Sequence, residues 1–444
     1  MWTAFLPLVA GVAALWVRLQ RYLSRLRLWE EAAAACGLLV EECSGFWDLG
    51  LAIKARKGSL KVRIETSRPR GKVTRLVVEV PEPKHFSEVR IRRKLAGWRR
   101  GIEVGDEEFD NTFFIEGPLQ LVRALFDAQM RHLLIRVNAE APLEIARGEL
   151  RAEVRDELIP KILSLLLEAA SRFAHIQHFA QRVAENAHED PEAGVRLQNL
   201  LFLVREHPKK RKTVEALRTA CADPSPQIRL RAARELGAEG HGVLIELAES
   251  SVDDTWSAQA VTALGRALPF ERASVLLTNA LDRRRILTAL ACVDWLGGSG
   301  DSAAIDILVE VLAREEGKIA AAAATGLGTT GSPAAEPPLI LALHQEDTDV
   351  LVAAANALGR IGTTAAVLPL KELAEHTSHH PEIRKAARQA IAEIQSRLPG
   401  ASPGQLSLAG AEAGQLSLAP AEEGQLSLAT DPAGQLSLSD SEEV

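Results

Sequence analysis

The sequence predicts a mainly α-helical chain: an α–α solenoid preceded by a small α+β domain, with an apolar helix at the N-terminus and a disordered tail at the C-terminus. Three observations predict it. A Leu-Gly phrase led by alanines returns with a period near 30 from residue 237 onward. Period-two alternation of apolar residues is confined to the first 155 residues. Beyond Pro399 the chain has no aromatic residue and too little apolar surface to build a core.

Composition fits a globular chain of two or three domains: 444 residues, 47% hydrophobic, 25% charged, 4% aromatic and a single tyrosine. Abundant Ala and Leu favour helices. Cys36, Cys43, Cys221 and Cys292 form no CxxC pair, so neither a zinc site nor a disulfide framework is expected, and a reducing compartment follows. The net charge of -7 hides a gradient. Residues 51–100 carry 16 Lys and Arg against 4 acids, whereas residues 401–444 carry 7 acids and no base.

Residues 1–28 begin with 17 uncharged residues, "MWTAFLPLVAGVAALWV", followed by Arg18, Arg21, Arg25 and Arg27. A spanning helix needs about 20 apolar residues. Trp2 and Trp16 bracket the stretch as interfacial anchors would, and the arginines predict that the following side stays cytoplasmic. From Arg18 onward Leu19, Leu23 and Leu26 share one helix face with arginines opposite, a pattern suited to an anionic membrane surface. No cleavage site of a signal peptide is evident. The four arginines are therefore candidate membrane-surface residues, and the cytoplasmic face of the inner membrane, or the cytoplasm, is the expected location.

Residues 30–155 read as the α+β domain. Leu49, Leu51 and Ile53, then Leu60, Val62 and Ile64, then Leu76, Val78 and Val80, then Val89 and Ile91 alternate as half-buried strands. "PLQLVRALFDAQMRHLLIRV" (118–137) has helical spacing, and residues 142–154 suggest a hairpin turning at Arg147-Gly148. The expectation is an antiparallel meander with a helix on one face. Lys54, Arg56, Lys57, Lys61, Arg63, Arg75, Arg90, Arg92 and Arg93 fall on its polar side. A solvated face with guarded edges is favoured over a phosphate-binding one, because no aromatic residues interleave. Asp106, Glu107, Glu108 and Asp110 read as an acidic loop before a helix.

Residues 156–398 read as a helical array. Its Leu-Gly glycines are Gly237, Gly265, Gly297, Gly328 and Gly359, separated by 28, 32, 31 and 31 residues. Each is expected to take the left-handed conformation that ends a first helix, before a short linker and a second apolar helix such as "AAIDILVEVLA". "DPSPQIRLRAARELGAEG" and "DTDVLVAAANALGRIG" resemble the repeat phrase of the HEAT family, in particular the short alanine-rich units also found in phycobilisome lyases. The resemblance runs from about residue 190 to 398 and implies stacked helix pairs, an arrangement that mostly serves as a scaffold. The lyases act on pigment proteins, but no residue here carries such chemistry.

Deoxyhypusine hydroxylases are HEAT-like and hold iron through repeated His-Glu pairs. Here the one adjacent pair is His188-Glu189, outside the good repeats. His175 and His178 read as sharing a helix face but lack a companion ligand. "TSHHPE" (377–382) reads as a turn. The basic clusters at 207–213 and 282–285 lie in an acidic stretch, which argues against nucleic acid as a partner. The sequence therefore predicts no catalytic residue, no cofactor, no metal and no enzymatic activity.

Residues 399–444 repeat GQLSL four times, ten residues apart. Gln405, Leu406 and Leu408, then Gln415, Leu416 and Leu418, Gln425, Leu426 and Leu428, and Gln435, Leu436 and Leu438 are candidate protein-binding positions. In an extended strand the two leucines of a phrase share a side and suit addition to a sheet edge. Gln-Leu-Ser-Leu also resembles the bacterial sliding-clamp-binding peptide. It departs at the fifth position, where Ala409, Ala419, Ala429 and Ser439 replace a large apolar residue. The expected function is a protein-interaction scaffold or adaptor tethered to a membrane, its protein partner unnamed by the sequence. The alternatives are an enzyme with a site between the small module and the first helices, and a clamp-associated adaptor.

Overall fold

The alternating segments of the N-terminal half build one eight-stranded antiparallel sheet in the computed structural model, which describes residues 5–45, 50–67, 73–80, 84–95, 101–175, 178–250, 253–375, 380–397 and four short strands beyond. The strands are β1 (Leu39–Ser44), β2 (Ala52–Lys57), β3 (Leu60–Thr66), β4 (Val73–Glu79), β5 (Arg90–Arg93), β6 (Phe113–Glu116), β7 (Leu143–Ala146) and β8 (Glu149–Arg155). Their order is β1-β2-β3-β4-β8-β7-β5-β6. The sheet is thus not a simple meander. The β7–β8 hairpin inserts between β4 and β5, pairing Leu76 with Ala152 and Val78 with Leu150. Its turn is where expected: Arg147 and Gly148 have φ of 56° and 77°, the pair of positive values that a two-residue hairpin turn requires.

Helices cover one face of the sheet. These are α1 (Phe5–Ala35), α4 (Ala128–Glu140) and α5 (Ile159–Ala174). Ile53, Ile64, Leu76, Ile91 and Ile115 from the strands meet Trp29, Ala33, Leu134, Ile162, Leu166 and Phe173 in one core. Phe86 stacks on Phe173 with centroids 4.2 Å apart. The helix expected across 118–137 is two, α3 (Leu119–Leu125) and α4. Asp127 interrupts it because its carboxylate accepts the Met130 amide and caps α4. The acidic run is itself a short helix, α2 (Glu107–Thr112), capped by Asp106.

The chain divides into two compact units, Met1–Leu236 and Gly237–Val444. This differs from the boundaries expected at 28 and 155. Helix α1 runs on to Ala35 because Trp29, Ala32 and Ala33 belong to the sheet's core, and α5 belongs there too. Helices α6 (Phe179–Glu189), α7 (Ala193–Glu206), α8 (Arg211–Ala220) and α9 (Pro226–Leu236) complete the first unit. Buried ions tie them to the sheet module and to one another. Arg131 on α4 holds Asp190 with two bonds, and Arg196 on α7 holds Asp223.

The second unit stacks helix pairs: α10 (His241–Glu249) with α11 (Asp254–Leu264), α12 (Phe270–Asp282) with α13 (Ile286–Ser299), α14 (Ala303–Arg314) with α15 (Gly317–Thr329), α16 (Glu336–Ala342) with α17 (Thr348–Ile361), and α18 (Val367–Glu375) with α19 (Pro381–Ser396). Asp253 and Asp347 cap α11 and α17 by accepting backbone amides. The helices α11, α13, α15, α17 and α19 pack side by side in a row. The first helix of each pair packs mainly on its own partner.

The glycines correct the expectation. Only Gly237 and Gly265 have positive φ, 60° and 46°, with open space where a side chain would go. Gly297, Gly328 and Gly359 lie inside helices, within two residues of their ends. They are glycines because neighbouring helices touch there. A Cβ on Gly297 would sit 2.7 Å from the Gly326 Cα, and one on Gly328 would sit 2.7 Å from the Ala357 Cβ. A Cβ on Gly359 would sit 3.2 Å from the Ala390 Cα. The intra-helical glycine costs about 0.5–1 kcal/mol of helix propensity, offset by close packing across the row.

Candidate functional site

The row α11–α19 presents a regular surface on the second unit. Three residues before each of four repeat glycines stand Thr262, Asp294, Thr325 and Asn356, all exposed. They occupy equivalent positions on adjacent helices. Half-buried Ala258, Ala291, Ala321, Ala322 and Ala353 surround them, so the surface is shallow. The Thr262 and Thr325 hydroxyls donate to carbonyls one turn back, Ala258 and Ala321. Asp294, Asp349, Lys318, Arg266 and Arg360 mix signs along the row, which gives it no single-sign field.

Side chains staple neighbouring pairs. The Asp254 carboxylate accepts the amides of Leu287 (2.8 Å) and Thr288 (3.0 Å) and the Thr288 hydroxyl (2.6 Å) at the start of α13. Burial pulls the Asp254 pKa up, but these three donors and the Arg285 charge hold it below the usual carboxylate range. The Trp295 indole donates to the Gly265 carbonyl, and the Thr329 hydroxyl donates to the Gly297 carbonyl. Buried Glu336 accepts the Thr363 amide (2.7 Å) and hydroxyl (3.0 Å). The row is therefore held in register by bonds as well as by packing.

A family model described as HEAT repeats matches residues 312–392, and one described as PBS lyase HEAT-like repeat matches residues 288–314. Residues 288–392 are HEAT-like repeats. No curated protein matches the sequence closely enough to count as a relative. Three solved structures are similar to the chain. Human deoxyhypusine hydroxylase in complex with glycerol is 16% identical, with 49% of this chain and 96% of that one covered and a TM-score of 0.23. An engineered protein is 22% identical, with 41% and 96% covered and a TM-score of 0.31. The complex of CpcE and CpcF of phycocyanin lyase from Nostoc sp. PCC7120 is 20% identical, with 49% and 96% covered and a TM-score of 0.29.

These similarities correct one expectation. The sequence predicts no enzymatic activity, yet the hydroxylase and the lyase are enzymes. A HEAT-like array gives no ground for excluding catalysis, since a fold does not determine the chemistry grafted on it.

Outside the HEAT-like row, most of the basic residues of the sheet face have partners. Lys54 pairs with Glu42, Arg56 with Glu41, Lys61 with Glu79, Arg63 with Glu149, Arg75 with Glu153, and Arg92 with Glu116. Cross-strand neighbours thus neutralise the charge that composition concentrates there. Beside the β2–β3 turn, an open cleft of about 590 Å³ is lined by Cys36, Lys57, Glu168, Arg172 and His175, among others. Burial raises the pKa of the Cys36 thiol, which leaves it protonated at neutral pH, and the Lys57 ammonium donates to the Cys36 carbonyl. His175 and His178 do not share a helix: α5 ends at Ala174, and His178, with φ 57°, precedes α6. Among the described residues no three His, Cys, Asp or Glu side chains gather as a metal site.

The four N-terminal arginines separate into two groups. Arg18, Arg21 and Arg27 are exposed. Arg25 is not a membrane-surface residue. Its guanidinium reaches the Asp156 carboxylate at 2.8 Å and the Thr74 hydroxyl at 3.0 Å, and it lies 5.2 Å above the Trp29 ring. No described helix is long and apolar enough to cross a membrane. Trp2 and residues 377–379 lie outside the described residues.

In the tail the described parts are β9 (Leu406–Leu408), β10 (Leu416–Leu418), β11 (Leu426–Ser427) and β12 (Ser437–Leu438). Gln405, Gln415, Gln425, Leu428, Gln435 and Leu436 lie outside the described residues, as does most of the stretch expected to be disordered. The sequence reading missed the exposed positions Thr262, Asp294, Thr325 and Asn356. Counting three back from each Leu-Gly glycine would have found them.

Proposed function

We propose that the chain is an interaction scaffold whose HEAT-like row α11–α19 docks a protein. The observation that supports this is the line of exposed, repeat-equivalent Thr262, Asp294, Thr325 and Asn356 on closely packed helices. Mixed charge and shallow relief suit a protein surface, whose polar rim accommodates both signs around a less charged centre. A nucleic-acid backbone would call for clustered Lys and Arg instead. Replacing Thr325 and Asn356 together by Arg is expected to cut partner recovery by the immobilised full chain at least about tenfold, or about 1.4 kcal/mol. The comparison is made by quantitative pull-down, with unchanged melting confirming the fold. Identical recovery by both chains would remove the row as the docking surface.

A second element of the reading is a membrane tether. Its support is that Val12, Leu15, Trp16 and Val17 are 61%, 48%, 61% and 42% exposed on α1. Burying an exposed Val or Leu in a bilayer interface contributes about 1.5–3 kcal/mol. Each arginine at an anionic surface adds about 1 kcal/mol. The apolar term dominates, so flotation of the full chain with anionic vesicles is expected to weaken in high salt without vanishing. Val12→Glu with Trp16→Glu is expected to abolish it. Flotation that disappears in salt would show a purely electrostatic contact.

A further inference from the structure

The tail strands pair in a way that the row does not explain. In the β9–β10 pair Leu406 faces Leu418, Ser407 faces Ser417 and Leu408 faces Leu416. In the β11–β12 pair Leu426 faces Leu438 and Ser427 faces Ser437. Leu-Ser-Leu reads the same in both directions. Antiparallel pairing of any two copies therefore sets leucine on leucine and serine on serine. Nothing in this register distinguishes a neighbour in the same chain from one in another.

Each pair is a two-stranded ribbon of two or three residues per strand. Such a ribbon is marginal in water, and three or more strands are needed for independent stability. Among the described residues, each strand in it still has one edge with unpaired N–H and C=O groups. We propose that these edges are filled by the same phrases from a second copy of this chain, so that the tail is a homotypic coupling element. Two features favour a second copy over an unrelated partner. The phrase is self-complementary. Four phrases per chain let two chains join at more than one ribbon, which raises effective concentration. The phrases themselves carry no charge, while the segments between and after them hold all 7 acids of residues 401–444. Repulsion between tails therefore opposes assembly, and salt screens it.

Sedimentation of the full chain tests this. Association is expected to rise with protein concentration across the micromolar range and to strengthen from low to high salt. A variant with Ser407→Pro, Ser417→Pro, Ser427→Pro and Ser437→Pro removes one ladder donor from every strand and leaves the leucines in place. It is expected to lose the associated species while keeping its helical circular dichroism. A monomer at every concentration would overturn the proposal. So would association indifferent to the four prolines, which would assign it to another surface such as α1. Association weakened by salt would also overturn it, since that points to docking on a partner surface of opposite charge.

Discussion

Arg131→Met is expected to destabilise the first unit by about 3–5 kcal/mol, the usual effect of breaking a buried ion pair from one side. The guanidinium is 2% exposed and the Asp190 side chain 1%. Arg131 donates to Asp190 at 2.8 and 2.9 Å, to Asp106 at 2.7 Å and to the Phe126 carbonyl at 2.9 Å. Burial alone would depress its pKa, but the two carboxylates more than offset this and raise it. Without the arginine, Asp190 keeps only the Glu192 amide at 3.0 Å among these carboxylate contacts. The double variant Arg131→Met, Asp190→Leu removes both charges and is expected to recover part of the loss. Denaturant unfolding of the two variants measures the difference. A single variant within about 1 kcal/mol of the parent would mean that water or rearranged neighbours replace the arginine.

Gly328→Val is expected to destabilise the second unit by about 1–3 kcal/mol, the range for overpacking a filled site. The reason is contact, since the new Cβ would lie 2.7 Å from the Ala357 Cβ and 2.8 Å from its Cα. Backbone and a methyl group have no rotamer in which to yield, so α15 and α17 must separate. Gly237→Asn is the control. Its φ is 60° with nothing within 4 Å of a Cβ, and asparagine tolerates that conformation, so a change of no more than about 0.5 kcal/mol is expected. Heat denaturation of both variants decides the matter. Equal losses would mean that the five glycines share one role after all.

That contrast shows how far the sequence could be read. Position and period were legible, because Leu-Gly marks every layer from residue 237 to 359. The two roles were not, because one letter serves a positive-φ turn at Gly265 and a close approach at Gly297. The distinction depends on what the next layer places opposite. Strand alternation around Val62, Leu76 and Leu150 was legible too. The pairing of β4 with β8 was not, because it joins residues far apart in sequence and no local pattern records it. Helix α5 was legible as a helix, but its place under the sheet rests on Ile162, Leu166 and Phe173 meeting strand residues. The exposed positions of the row were hidden for a different reason. Thr262 and Asn356 are unremarkable letters until packing leaves them outside.

The close seam along α11–α19 also fixes how the second unit yields when pulled or bent. At Gly297, Gly328 and Gly359 the backbones already touch, so that side cannot be compressed. The opposite helices lean chiefly on their own partners and can fan apart more readily, against links such as Glu336 to Thr363. The stack is therefore a leaf spring with a stiff spine: it flexes by opening its loose side, and a load along the spine is carried by the glycine contacts in series.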